Sequence, residues 1–298
     1  MQLALGTVQF GLPYGITNQD KTRVQKSEAE KILSFAHQNN IHFLDTASAY
    51  GESEKRLGEL MKKMPQHQFH IITKTQSLLK NKITKHDADS LESTLQHSLQ
   101  KLQQTMLYGL MIHEAGDLMA KNSEFLFEKL LYLKQKKYIT KIGCSFYHPE
   151  DLFRIIEKFD LDVVQIPINL FDQRFIHSGA LAFLYQKNIE VHVRSIFLQG
   201  LLLSSINNLL AIKMECATPY LKKLDVFCQC KNMSRLSVII AFLKTLSHCR
   251  FVVGFQCVTE LQELLKNINL HNITVKIDFT ALQVLDNNVI NPTRWPKK

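Results

Sequence analysis

An α/β fold, closed into a single-domain (β/α)8 barrel, is what the chain predicts from three observations. Short apolar runs alternate with longer helical patterns from end to end, the sign of repeated β-α units on a parallel sheet. Eight such runs can be counted, at 2–6, 41–45, 70–74, 109–113, 141–145, 163–168, 190–195 and 251–254. The length of 298 residues suits a barrel, which typically runs to roughly 250 residues. Eight strands with intervening helices favour closure over an open, doubly wound sheet.

The helices are read from apolar stripes. Ala29, Ile32, Leu33 and Ala36 share one face after a Ser27-x-x-Glu30 pattern that predicts a capping box, and Leu57, Leu60, Met61 and Met64 follow Ser53 in the same way. Similar stripes run through Leu91 to Leu102, Leu152 to Phe159, Leu236 to Leu243 and Leu261 to Ile268. These are core contacts. The longest connection, about 201–224, is expected to be a loop with a short helix beside the functional face. Phe279, Leu282 and Leu285 predict a last packed helix before a frayed tail, 295–298. No Pro/Gly/Ser-rich linker or low-complexity tract divides residues 1–298.

Composition narrows the function. A hydrophobic fraction of 45% supplies a full core, and no apolar run approaches the roughly 18 to 20 residues that cross a bilayer, so a soluble cytoplasmic protein is expected, with no membrane partner. The net charge of +9 favours anionic partners. Because the lysines are spread along amphipathic segments rather than gathered with aromatics, a dinucleotide or a phosphorylated small molecule fits better than nucleic acid. The six cysteines carry no Cys-x-x-Cys unit, and Cys228-Gln229-Cys230 alone cannot fill a tetrahedral zinc site, so reduced thiols and no metal are expected. Nor does a His-x-His occur, which argues against a metal-dependent barrel hydrolase. Oligomeric state leaves no trace in the sequence.

In such a barrel the C-terminal strand ends face the active site. Asp45, Lys74 and His113 fall at three of those ends, and Tyr50 lies in the small-residue loop above the first. A phenol titrates near about 10, so acid–base work at neutral pH asks for a nearby cation, which Lys74 can supply. A buried ammonium needs a counter-charge, and Asp45 can provide it. His113 can hydrogen-bond and polarise a carbonyl oxygen. Each residue also has a plainer reading: a helix cap, a solvated lysine, a satisfied interior histidine.

The run Leu44-Asp45-Thr46-Ala47-Ser48-Ala49-Tyr50-Gly51-Glu52-Ser53-Glu54, followed by Lys74 and His113, resembles the aldo/keto reductases, whose signature has Asp-Thr-Ala, Tyr-Gly and Ser-Glu in this order. The resemblance extends from Gly6-Thr7-Val8-Gln9-Phe10-Gly11 to the turn at Gly254. It implies a reductase of aldehydes or ketones using NADPH or NADH, with Tyr50 as proton donor and Asp45, Lys74 and His113 completing a tetrad. It also implies cofactor contacts at Gly6, Thr7, Ser145, Gln165, Arg194, Ser195, Phe197, Gly200, Gly254, Gln256 and Glu263, with Ser145 and Gln165 on the nicotinamide carboxamide.

The chain departs from the pattern in three places. Arg194 replaces the aromatic residue that stacks on the nicotinamide, Phe146 replaces an asparagine, and Glu260 falls where an arginine is common. A carboxylate repels a phosphate, so NADH stands alongside NADPH. The run 194–202 and the Gly6-Thr7-Val8-Gln9-Phe10-Gly11 opening resemble a bacterial branch often found with surface-polysaccharide genes, which points to a sugar-derived or nucleotide-sugar carbonyl. The alternative is a non-catalytic, nicotinamide-binding regulatory or sensor barrel.

Overall fold

Eight short strands pair in sequence order: β1 (Gln2–Gly6), β2 (Phe43–Asp45), β3 (His70–Lys74), β4 (Leu107–Ile112), β5 (Ile139–Ser145), β6 (Val163–Pro167), β7 (Glu190–Arg194) and β8 (Cys249–Val253). All neighbours are parallel, and β8 returns to β1 with Leu5 opposite Val253, so the sheet closes into a (β/α)8 TIM barrel. A computed structural model of the chain describes residues 1–18, 20–270 and 277–295. The expected strands are all present, shifted by one or two residues at some ends.

Alternation along each strand divides the side chains between two cores. Leu44, Ile71, Leu110, Ile142, Val164, Val191 and Phe251 face outward and pack under the helices. There they meet Ala29, Ile32, Leu33 and Ala36 of helix Lys26–Gln38, all fully buried, and Leu57 and Leu60 of helix Ser53–Lys63. The other register faces the barrel interior, which is built in three tiers. At the N-terminal end Glu190 takes a 2.7 Å bond from the Tyr108 hydroxyl, pairs with Lys141 and stands 2.8 Å from His192 Nε2, while the Arg250 guanidinium lies 3.4 Å from the Phe43 ring centroid. An apolar waist of Ile72, Met111 and Val163 follows. Above it, at the C-terminal end, sit Asp45, Lys74, Ser145, Gln165 and Arg194.

Several local expectations need correction. Ser27 lies inside its helix, whose N-cap is Gln25 without a side-chain bond. The reciprocal box is instead at Thr84 and Asp87, where Thr84 Oγ1 accepts from Asp87 N at 3.2 Å and Asp87 Oδ2 accepts from Thr84 N at 2.9 Å. The 201–224 connection is made of 3-10 turns at Leu198–Leu203, Ile206–Asn208 and Glu215–Ala217 before helix Thr218–Lys231 begins. The expected last helix is replaced by two short turns, Thr280–Leu282 and Asn287–Ile290, each closed by an aspartate side chain on a backbone N–H. Phe279 and Leu282 are buried, but Leu285 falls between the turns and is 75% exposed. Trp295, expected in a frayed tail, is buried, and the rest of that tail lies outside the described residues. All six cysteines are free. Among the described residues no single helix is long and apolar enough to cross a membrane.

Because the Thr84–Asp87 box satisfies otherwise unpaired donors at the start of helix Lys85–Leu102, Thr84→Ala is expected to cost about 1 kcal/mol in urea unfolding. An unchanged midpoint would show that the helix is held by packing alone.

Candidate active site

Lys74 reaches its place because β3 carries it in the inward register, one step above the apolar waist, where no water can solvate it. It is 1% exposed, and Asp45 is 4% exposed. Its ammonium donates to Asp45 Oδ1 at 2.8 Å, to Asp45 Oδ2 at 2.7 Å and to the Thr46 carbonyl at 3.0 Å. Three donors thus meet three acceptors. Burial pulls the Lys74 pKa down from the usual lysine value, and the Asp45 carboxylate opposes that shift. Gln165, coming from the far side of the barrel, donates to Asp45 Oδ1 at 2.7 Å.

Small and hydroxylated residues fix the loop that bears Tyr50. Ser53 Oγ bonds the Thr7 carbonyl and hydroxyl, each at 2.9 Å, and lies 3.1 Å from Thr46 Oγ1; Thr7 Oγ1 donates to the Asp45 carbonyl at 3.0 Å. Backbone bonds from Tyr50 N to Ala47 O and from Ser53 N to Tyr50 O, both 3.0 Å, turn the chain, and Gly51 supplies the required positive φ of 57°. Gly11 permits the close packing beneath: a Cβ there would fall 1.8 Å from the Tyr50 carbonyl oxygen. The motif of small residues is therefore a mounting for the phenol.

Lys74 Nζ lies 5.1 Å from the centroid of the Tyr50 ring, and the His113 ring meets Tyr50 edge-on at 6.0 Å. The His113 backbone N–H donates to Thr75 Oγ1 at 3.2 Å, while its buried Nδ1 has no partner among the described residues. Burial, followed by the Lys74 charge, pushes the His113 pKa down to about 4, so the imidazole is neutral at pH 7. Tyr50 departs from expectation. Burial, then the Asp45 carboxylate, raises its pKa above the usual phenol value, because the Lys74 charge is already neutralised by Asp45. The phenol keeps its proton.

A cavity of about 680 Å³ opens over these groups. Asp45, Tyr50 and His113 line it, Lys74 lies beneath, and every expected contact residue lines it too: Gly6, Thr7, Ser145, Gln165, Arg194, Ser195, Phe197, Gly200, Gly254, Gln256 and Glu263. That volume lies within the roughly 300–1,000 Å³ usual for small-molecule and cofactor pockets. Gln9 contributes a buried Oε1 with no partner among the described residues, and a Cβ at Gly254 would come within 2.2 Å of that side chain. The wall after β7 is a strained turn in which Ser195, Leu198 and Gln199 hold positive φ angles of 61°, 50° and 53°. At the β8 end, Glu260 Oε2 accepts from Gln256 N at 2.7 Å, and Glu28 Oε1 accepts from Val258 N at 2.8 Å. Phe146 is not a ligand-facing group: it is buried in the outer core. Tyr14 and Tyr147, which also line the cavity, were not singled out from the sequence, since they lie in loops away from the strand-end positions.

A parallel barrel that gathers a carboxylate, an ammonium, a phenol and an imidazole under one cavity at its C-terminal end has the build of a barrel enzyme. The model of the aldo/keto reductase family matches residues 2–282, and the chain belongs to that family. It is an NAD(P)H-dependent, carbonyl-reducing oxidoreductase. A search of curated proteins found no sequence match. Among solved structures, an aldo-keto reductase from Bacillus halodurans in its holo form aligns at TM-score 0.72 and 15% identity over 98% of this chain and 95% of that one. A thermostable aldo-keto reductase in complex with the inhibitor epalrestat aligns at TM-score 0.67 and 18% identity over 94% of each chain. A glycerol dehydrogenase from Gluconobacter oxydans aligns at 0.63 and 18% over 93% of each. At these identities the likeness speaks for the fold.

Removing the counter-charge tests the buried pair. Asp45→Asn leaves the Lys74 ammonium unmatched in a dry site and is expected to lower stability by about 3 to 5 kcal/mol in denaturant titration. A loss below about 1 kcal/mol would mean that Lys74 is not charged in the native protein.

Proposed function

We propose that the chain reduces an aldehyde or ketone to an alcohol, with Tyr50 as the proton donor. The carrying observation is the arrangement of Tyr50, Lys74 and Asp45, with His113 edge-on to the phenol, at one end of a cavity of about 680 Å³. Bound NAD(P)H supplies the hydride. The chain's own groups do the rest. A neutral His113 can donate an N–H to the carbonyl oxygen, orienting it and drawing electron density away from the carbon. As negative charge grows on that oxygen, Tyr50, still protonated, gives up its proton to it. Asp45 and Lys74 hold the floor rigid, so little reorganisation accompanies the transfer.

Ser145 and Gln165, buried side by side in register on β5 and β6, would hold the nicotinamide end, and the strained turn at Ser195 to Gly200 the middle of the cofactor. At the β8 end the lining carries Glu260 and Glu263. Two carboxylates there oppose the 2'-phosphate of NADPH and accept hydrogen bonds from a free ribose hydroxyl, which supports NADH as the preferred cofactor. A sugar-derived carbonyl, rich in polar groups, suits a mouth formed by Tyr14, Tyr147, His113 and Arg194.

Tyr50→Phe is expected to lower kcat by at least about a hundredfold while nicotinamide fluorescence still reports cofactor binding. Near-normal turnover in that variant would falsify the acid assignment; cofactor binding with no turnover of any carbonyl by the unmodified protein would favour a sensor. In the same titration NADH should bind more tightly than NADPH, and Glu263→Lys should shift the ratio towards NADPH by about tenfold. Tighter binding of NADPH by the unmodified protein would overturn the cofactor preference.

A further inference from the structure

Arg194, for which the family resemblance implies a cofactor contact, is a charge at the catalytic end to which the proposed hydride and proton transfer gives no role. It ends β7, opposite Pro167 in register, and lines the cavity with Tyr50 and His113. Its guanidinium carbon lies 4.0 Å from the centroid of the Tyr147 ring. Nη2 donates to the Phe146 carbonyl at 3.2 Å and Nη1 to Ser195 Oγ at 3.3 Å. Both acceptors are neutral. A guanidinium has five N–H donors in a planar fork, so these two bonds anchor the group without using it up.

The surrounding charges are already matched. The Lys74 ammonium is held by Asp45, His113 is neutral at pH 7, and Tyr50 retains its proton. Arg194 acts electrostatically on Tyr14, Tyr50, Lys74, His113 and Glu114, which fixes its neighbourhood. Glu114 is the carboxyl that feels it, yet Glu114 does not line the cavity, and among the described residues no carboxylate forms an ion pair with Arg194. A purely structural donor at this position would serve as well without charge, and at lower desolvation cost. An unmatched guanidinium facing a cavity makes sense when a ligand brings the anion.

We propose that Arg194 binds an anionic group of the substrate, a carboxylate or a phosphate carried by the same molecule as the carbonyl reduced at Tyr50. The assignment rests on the reductase reading above. The planar fork suits both anions through paired N–H bonds.

Two matched pairs of aldehydes test it: 4-oxobutanoate against butanal for carboxylate, and glyceraldehyde 3-phosphate against glyceraldehyde for phosphate. In the unmodified enzyme kcat/KM for at least one anionic member should exceed that of its neutral partner by about tenfold or more, and the pair that responds identifies the anion. Arg194→Gln should erase the ratio, mainly through KM, and Arg194→Lys should keep part of it. Equal kcat/KM within both pairs overturns the Arg194 assignment and leaves the reductase reading standing. Should no aldehyde be turned over, calorimetric titration of succinate and of inorganic phosphate into the NADH-loaded protein decides separately. Binding that Arg194→Gln abolishes supports the subsite; no binding of either anion, or binding unaffected by the substitution, overturns it.

Discussion

The Lys74–Asp45 pair is the constraint on which the rest of the site depends. An ammonium at 1% exposure survives only because three acceptors meet its three donors, and those acceptors belong to the β2 end and the turn that follows it. Asp45 in turn takes a bond from Gln165 on β6, a residue 120 positions away. One buried network therefore ties β2, β3 and β6 across the barrel mouth. The same residue, through its backbone carbonyl, accepts from Thr7 and so fixes the mounting of the Tyr50 loop. A substitution at this pair is felt as barrel stability before it is felt as chemistry.

The apolar waist makes that network possible. Ile72, Met111 and Val163 separate two polar tiers that would otherwise share water along the barrel axis. Below the waist Glu190 is met by Tyr108, Lys141 and His192, a closed set of bonds at the end of the barrel associated with stability. Above it the charges face a cavity. The same register of alternate residues thus builds a structural plug and a reactive surface, and the waist decides which is which.

Much of this was legible in the sequence. The eight strands were readable because apolar runs bounded by turn residues have few alternatives in an α/β chain, and the convergence of Asp45, Tyr50, Lys74 and His113 was readable because three of them terminate such runs. What escaped depends on three-dimensional packing. Ser27 has the spacing of a cap, but the helix starts one residue before it, so its hydroxyl lies past the capping position. Leu282 and Leu285 have helical spacing, but Asp278 and Asp286 draw the backbone into separate turns. Tyr14 and Tyr147 reach the cavity from loops, which follow no period. The raised phenol pKa was missed for a related reason: the sequence shows that a lysine is present, and only the geometry shows that its charge is already matched.

That last point alters the electrostatics of the proposed proton transfer. If Tyr50 is the donor, its phenolate must find a positive field, and Lys74 offers only the residue left after Asp45. Arg194 is the cation whose field favours the ionised phenol. That field works against burial and the Asp45 carboxylate, which both favour the neutral phenol. An anionic substrate seated on Arg194 cancels part of that field while gaining a closer, stronger contact of its own. Binding and proton release then draw on the same guanidinium in opposite senses, which is why the advantage of an anionic substrate belongs in KM, with kcat gaining little from it.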